Sequence, residues 1–219
     1  MSDVITATGL DARPFLQGQL SQDMGTVDRD GSAWSWLLQP TGKVAALLLV
    51  TKVADEHYAL AVDGGFGEVV MARLNRFKLR VKVDLALAAN DGTVYPGTEA
   101  ERIEAVWPAM GTELVVDETI PNAAGINDRT VSFTKGCYTG QELVARVDSR
   151  GDHTPQHLRL VRMSDATFAV GDVLSFGDKQ VGTVTTASGS MALAWIARSV
   201  EPGQSVQRGE TAVSISLSA

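Results

Sequence analysis

Beyond Gly151 the chain changes its punctuation, and that change limits what it can fold into. Residues 157–163, 172–176, 180–186, 191–197 and 211–217 read as five short strands. Turn residues separate them: Gly171, Gly177-Asp178, Ser188-Gly189, Pro202-Gly203 and Gly209. Strands this short and this regularly interrupted bury their apolar faces by curling into a small barrel or sandwich. Residues 152–155, Asp-His-Thr-Pro, read as the linker into that region.

Before Gly151 strands alternate with helices. Residues 4–8 read as a strand. A helix follows, with Asp11 as N-cap, Pro14 in its first turn, a Leu10/Phe15 staple, Leu16 and Leu20 continuing the face, and Gly25 ending it. Residues 34–38 and 43–53 flank the turn signal Pro40-Thr41-Gly42 and read as a hairpin, with 57–62 as a third strand. Phe66, Val69, Val70, Leu74 and Phe77 recur at helical spacing over 65–77, and 81–87 alternates as a half-buried strand. Glycine and proline punctuate 90–125 (Gly92, Pro96, Gly97, Pro108, Gly111, Pro121, Gly125), which reads as short strands and loops. Single helices between strands, without glycine-rich phosphate loops, predict an α+β class built on plaits rather than a doubly wound sheet. The expected division is an α+β region over 1–151 and a β-barrel over 155–219.

Composition narrows the function classes. Apolar residues make up 44% of the 219, enough for a core, and the formal net charge of −7 lacks the basic footprint of a nucleic-acid binder. The run from Arg73 to Lys82 is locally basic; it reads either as a site for an anion or as the solvated face of a helix entering a strand. No apolar run reaches the roughly 18 residues of a membrane span. Residues 1–6 lack the features of a secretory leader, and one cysteine excludes an internal disulfide framework. The expectation is a cytoplasmic chain with neither nucleic-acid nor membrane partner.

The most informative stretch is Lys135-Gly136-Cys137-Tyr138-Thr139-Gly140-Gln141-Glu142. Thr139 and Glu142 have capping-box spacing, Tyr138 and Leu143 fall at staple positions, and Leu143, Val144 and Val147 give the helix an apolar face that Gly151 ends. A well-capped helix accounts for much of this without any function. Lys135 and Cys137 are the residues it leaves over. A cysteine just before a helix start, two residues from a lysine, is placed where thiolate is favoured; a lone cysteine is also a common buried hydrophobe.

This octapeptide, continued by Leu143-Val144-Ala145-Arg146 and Arg150-Gly151, resembles the signature of the YgfZ-type folate-binding proteins, relatives of the glycine cleavage T-protein (aminomethyltransferase). The segments 15–23, 39–43, 77–83 and 181–185 resemble the family more loosely, so the likeness touches most of the chain. It implies plait-like folate-binding domains and a small β-barrel around a central cavity, tetrahydrofolate or a one-carbon derivative as cofactor, and support of iron–sulfur cluster assembly or repair in client enzymes. The chain departs from the family in being short before Val4 and between residues 90 and 125, which would trim the cavity wall.

On that resemblance Cys137 is the expected functional thiol and Lys135 its electrostatic partner, with Tyr138, Gln141, Glu142 and Arg146 supplying cofactor contacts. Arg73, Arg76, Lys78 and Arg80 are candidates for a glutamyl tail. Two other readings stay open: an aminomethyltransferase-type folate enzyme, and a thiol-bearing scaffold module without a small ligand. Cys-x-x-Cys is missing, so a cluster would take ligands from a second chain. Residues 40–44 are not a P-loop, residues 64–67 are not a dinucleotide fingerprint, and Pro155 between His153 and His157 argues against a helical metal pair.

Overall fold

The computed structural model describes residues 1–90, 92–95, 97–151 and 153–216, with only the backbone of residues 89 and 90. The turn expected at Pro96, the linker position Asp152 and the strand end at Leu217 lie outside the described residues.

The first region is built on a five-stranded antiparallel sheet in the order β2-β3-β4-β1-β5. Its strands are β1 (Ser2–Thr8), β2 (Ser32–Leu38), β3 (Val44–Ala54), β4 (His57–Asp63) and β5 (Asp84–Asn90). The chain's first strand is therefore interior to the sheet, paired Ile5↔Leu60 on one side and Ile5↔Leu87 on the other. Helices α1 (Ala12–Gln19), α2 (Met24–Asp30) and α3 (Gly67–Phe77) join these strands. Phe15, Leu16 and Leu20 enter one core with Trp36, Leu48, Leu60, Val70 and Leu74. The hairpin 34–38/43–53 and the helix and strands after it fall where their spacing predicts, within a few residues.

Three local expectations are corrected. The single helix ending at Gly25 is two helices. Leu20 leaves helical geometry to bridge Leu37 of β2, and Asp23 then caps α2 by accepting from the Gly25 amide at 2.7 Å, so Gly25 opens a helix instead of closing one. Asp11 flanks α1 without a side-chain cap; its carboxylate accepts from the Lys82 amide at 2.7 Å. The short strands expected across 90–125 are instead α4 (Glu99–Glu104), a 3₁₀ turn (Pro121–Ala124) and loops, with α5 (Asn127–Thr130) just beyond. The capping box is here, between Thr98 and Glu101.

The second region is a closed barrel, β10-β11-β6-β9-β8-β7. It comprises β6 (Gln156–Arg162), β7 (Val173–Phe176), β8 (Lys179–Ser188), β9 (Met191–Ala197), β10 (Ser205–Arg208) and β11 (Thr211–Ser216). The sequence yields five of these; β10 has four residues and buries only Val206, too little to alternate visibly.

Helix α4 joins the two regions. Ile103 and Val106 pack on Leu158, Leu160 and Leu193 of the barrel. Below them Arg102 and Glu113, 7% and 1% exposed, pair at 3.1 Å. The Glu113 carboxylate also accepts from the hydroxyls of Thr185 (2.7 Å) and Thr186 (2.6 Å) on β8. Helix α4 ends with Trp107 N–H donating to the Arg102 carbonyl and Val106 N–H to that of Ile103, the paired bonds of a Schellman end. Glycine normally takes the left-handed position of that motif; here it is Val106, at φ +51°. The side chain that makes this conformation costly is the one that fills the seam with the barrel.

Candidate functional site

The octapeptide forms an elbow held mainly by backbone contacts. Gly140 has φ +86° and packs against the β2–β3 turn; a Cβ there would meet the Gln39 carbonyl oxygen at 2.6 Å and Leu38 at 2.8 Å. Opposite it, a Cβ on Gly42 (φ +83°) would meet Leu143 at 2.3 Å. This approach corrects the expected capping box at Thr139. A helix whose cap is Thr139 needs helical φ at residue 140, and the packing holds Gly140 in the left-handed region. Helix α6 (Gln141–Asp148) therefore starts after Gly140 with no side-chain cap. Gln141 turns back and accepts from the Tyr138 amide at 3.2 Å.

Lys135 reaches under this elbow. Its ammonium donates to the carbonyls of Gln17 (2.7 Å), Leu20 (2.7 Å) and Gln22 (3.0 Å), the free acceptors where α1 ends. It also lies 5.2 Å from the Tyr138 ring. Burial pushes the Lys135 pKa down to about 8, against the pull of Asp23. Ser21, fully buried, ties residues 130–132 to the same corner: its hydroxyl donates to the Thr130 carbonyl at 2.6 Å and its carbonyl accepts from the Ser132 amide at 3.0 Å. On this support Cys137 is exposed, as are Glu142 and Arg146 on α6, while Tyr138 is buried.

The basic run is divided. Arg73 is buried; it donates to the Leu38 carbonyl (2.7 Å) and Gln19 (3.0 Å) and lies over the Phe77 ring at 4.2 Å. Through Gln19 it belongs to the elbow's support, since Gln19 also receives the Thr139 hydroxyl at 3.5 Å. Arg76 and Arg80 are exposed and Lys78 is half-buried.

A second constellation escaped the sequence reading. Within the first region, beside α4, a narrow cleft of about 20 Å³ is lined by Trp34, Asp63, Tyr95, Arg102 and Trp107, and it adjoins a cavity of about 210 Å³ that shares Asp63, Tyr95 and Arg102 and is lined also by Thr98, Glu99 and Thr112. The Trp34 and Trp107 rings meet at 4.6 Å and 58°, Tyr95 stands 6.2 Å from Trp107, and the Arg129 guanidinium lies 5.0 Å from the Trp107 ring. Asp63, at the end of β4, accepts from the Met110 amide at 2.8 Å. Burial pushes its carboxyl above the usual range, outweighing that bond and the Arg102 charge. These residues come from separate elements, so no spacing rule could have grouped them. The octapeptide's side chains do not line this cleft. Among the described residues no group of three or more His, Cys, Asp or Glu is arranged to hold a metal, and no helix is long and apolar enough to cross a membrane.

The fold defines the class first. Over 99% of this chain and 83% of the other, it superimposes on the crystal structure of the glycine cleavage system aminomethyltransferase T from Bartonella henselae, with TM-score 0.82 and 15% identity. The architecture is that of a T-protein, closed barrel included. No family model matches the chain. It is 35% identical over 248 aligned positions to the tRNA-modifying protein YgfZ of Aliivibrio fischeri (strain MJ11), covering 84% of this chain and 77% of that one. It is 26% identical over 208 positions to the protein of the same name from Vibrio vulnificus (strain CMCP6), covering 68% of this chain and 64% of the relative. The chain belongs to the YgfZ family.

Proposed function

We propose that this chain binds tetrahydrofolate, or a one-carbon derivative of it, in the cleft and adjoining cavity beside α4, and that it supports assembly or repair of iron–sulfur clusters in client enzymes. The observation that carries the reading is the cleft's chemistry. A pterin presents two adjacent N–H donor groups, which a carboxylate such as Asp63 can accept, and its ring system suits aromatic walls such as Trp34, Tyr95 and Trp107. Arg102 and Arg129 offer cations nearby. Membership of the YgfZ family adds to this, and we read the five-stranded sheet with α1–α3 as a variant of the family's plait. The division into 1–151 and 155–219 is carried forward with it.

Cys137 is the functional thiol of this proposal, presented outward for a cluster or client while Lys135, Gln141 and Tyr138 hold the elbow beneath it. Glu142 and Arg146 are proposed to act beside it. The relatives' name assigns them an effect on tRNA. With a net charge of −7, a client enzyme acting on tRNA fits this chain better than direct grip on the phosphate backbone. We place the protein in the cytoplasm.

Anaerobic titration with tetrahydrofolate, followed by tryptophan fluorescence, tests the first half. Wild type and Cys137→Ala should both saturate, because Trp34 and Trp107 report the cleft and not the elbow, while Asp63→Asn should bind about tenfold more weakly. A flat wild-type titration overturns folate binding. The second half is tested in cells lacking the gene. Wild type should restore iron–sulfur enzyme activity and Cys137→Ala should not; equal restoration removes the thiol from the mechanism.

A further inference from the structure

A cavity of about 310 Å³ lies at one end of the barrel, where His157 and Arg159 share the inward face of β6 with Val161, and is lined by Gly151, His153, His157, Arg159, Arg198, Val200, Glu201 and Pro202, none of which lines the cleft above. The volume is at the lower end of small-ligand sites. Among the described residues its wall is unusual for this acidic chain: two guanidiniums and two imidazoles against one carboxylate.

The barrel's topology brings these residues together. Pairing of β6 with β9 sets Gln156 opposite Ala197 and His157 opposite Ile196. Arg198, just past β9, continues the register by donating its amide to the Pro155 carbonyl at 3.0 Å. Arg159 lies two residues beyond His157 on the same face of β6. The His157 ring nitrogen Nδ1 is 3.4 Å from the Thr154 hydroxyl.

The two arginines are the informative members. Two other arginines of the barrel have carboxylate partners, Arg162 with Glu104 and Arg208 with Asp172. Among the described residues no carboxylate comes within ion-pair distance of Arg159 or Arg198, and neither guanidinium has a hydrogen-bond partner. Arg198 is exposed, but Arg159 is half-buried, and burial pulls its pKa below the ordinary value with Glu201 opposing. Holding a partly desolvated guanidinium without an acceptor is costly, and a planar fork of donors suits an oxyanion.

We infer that this cavity is a phosphate-binding site, with Arg159 and Arg198 as the two forks and His153 as a further donor. The ligand is a phosphate dianion, either free phosphate or the terminal group of a mononucleotide. Glu201 at the rim opposes the anion and keeps affinity modest.

The test is calorimetric titration of the full-length protein with inorganic phosphate and, separately, adenosine 5′-monophosphate, with chloride as the screening control. Arg198→Gln, on an exposed side chain, leaves the fold intact and should weaken both ligands about tenfold or more, the loss of one charge-assisted pair. Arg159→Gln should do the same, and Glu201→Gln should tighten binding. Tighter binding of the nucleotide than of phosphate assigns the cavity to a nucleotide; equal binding assigns it to the free anion. Absence of saturation by either ligand at about 10 mM, or unchanged affinity in both arginine variants, overturns the site.

Discussion

The elbow and the cleft are two answers to holding functional groups still. The elbow uses what the backbone supplies. Glycines allow Gly140 and Gly42 to approach, and carbonyls at the end of α1 receive Lys135. The cleft uses side chains from five places in the chain, fixed by a buried ion pair and tilted aromatic rings in contact. The first kind of site is written as a contiguous word; the second exists only after folding. A signature peptide can therefore mark a family while the groups best suited to a small ligand lie elsewhere.

Substitutions separate the two. Arg102→Leu should be the most damaging, about 3–5 kcal/mol in urea denaturation, because it leaves Glu113 charged and buried without its cation. Gly140→Ala should cost about 3 kcal/mol, combining a left-handed φ with contacts below 3 Å on Gln39 and Leu38. The elbow reading fails if Gly140→Ala is tolerated as well as Gly136→Ala, where a Cβ meets nothing within 4 Å. Lys135→Met should cost about 2 kcal/mol by stranding carbonyls at the end of α1.

Lys135 also gives a pH signature. Its pKa is about 8 in the fold against an ordinary 10.5, so between those values the unfolded chain binds more protons. Stability from this group rises with pH across that window, and the rise should vanish in Lys135→Met. The smallest effect is a gain. Burial holds the Asp63 carboxyl above its usual range, so its charge at neutral pH works against the fold. Asp63→Asn should raise stability slightly in thermal melts while weakening folate. A loss of stability instead would make Asp63 a structural residue and break the contrast with the elbow.

Much of the architecture was legible where periodicity and turns agree. The hairpin around Pro40-Thr41-Gly42, helix α3 and most barrel strands follow from alternation and glycine placement. Legibility failed where a distant contact decides a local choice. Thr139 and Glu142 have the same spacing as Thr98 and Glu101, yet only the latter pair forms a box, because the approach of Gly42 fixes Gly140 and nothing comparable constrains residue 99. Gly25 reads as a helix end in the sequence because the bridge from Leu20 to Leu37, which stops α1 earlier, is invisible in the local pattern. The cleft had no local signal at all. Trp34 and Trp107 are far apart in sequence, and the arginine and glutamate beside them look like surface charges until both are seen buried.

The three carbonyls that receive Lys135 have a consequence for synthesis. The chain is made from its N-terminus, but the acceptors at residues 17–22 wait for a donor that emerges more than a hundred residues later. An eight-residue helix is too short to persist alone, and β1 needs β4 and β5 on either side. The sheet has all its strands by residue 90, but the corner where α1 ends stays without its donor until the octapeptide has left the ribosome, so that corner is the part of the sheet region completed late. The peptide that marks the family also supplies the cation that this early corner awaits.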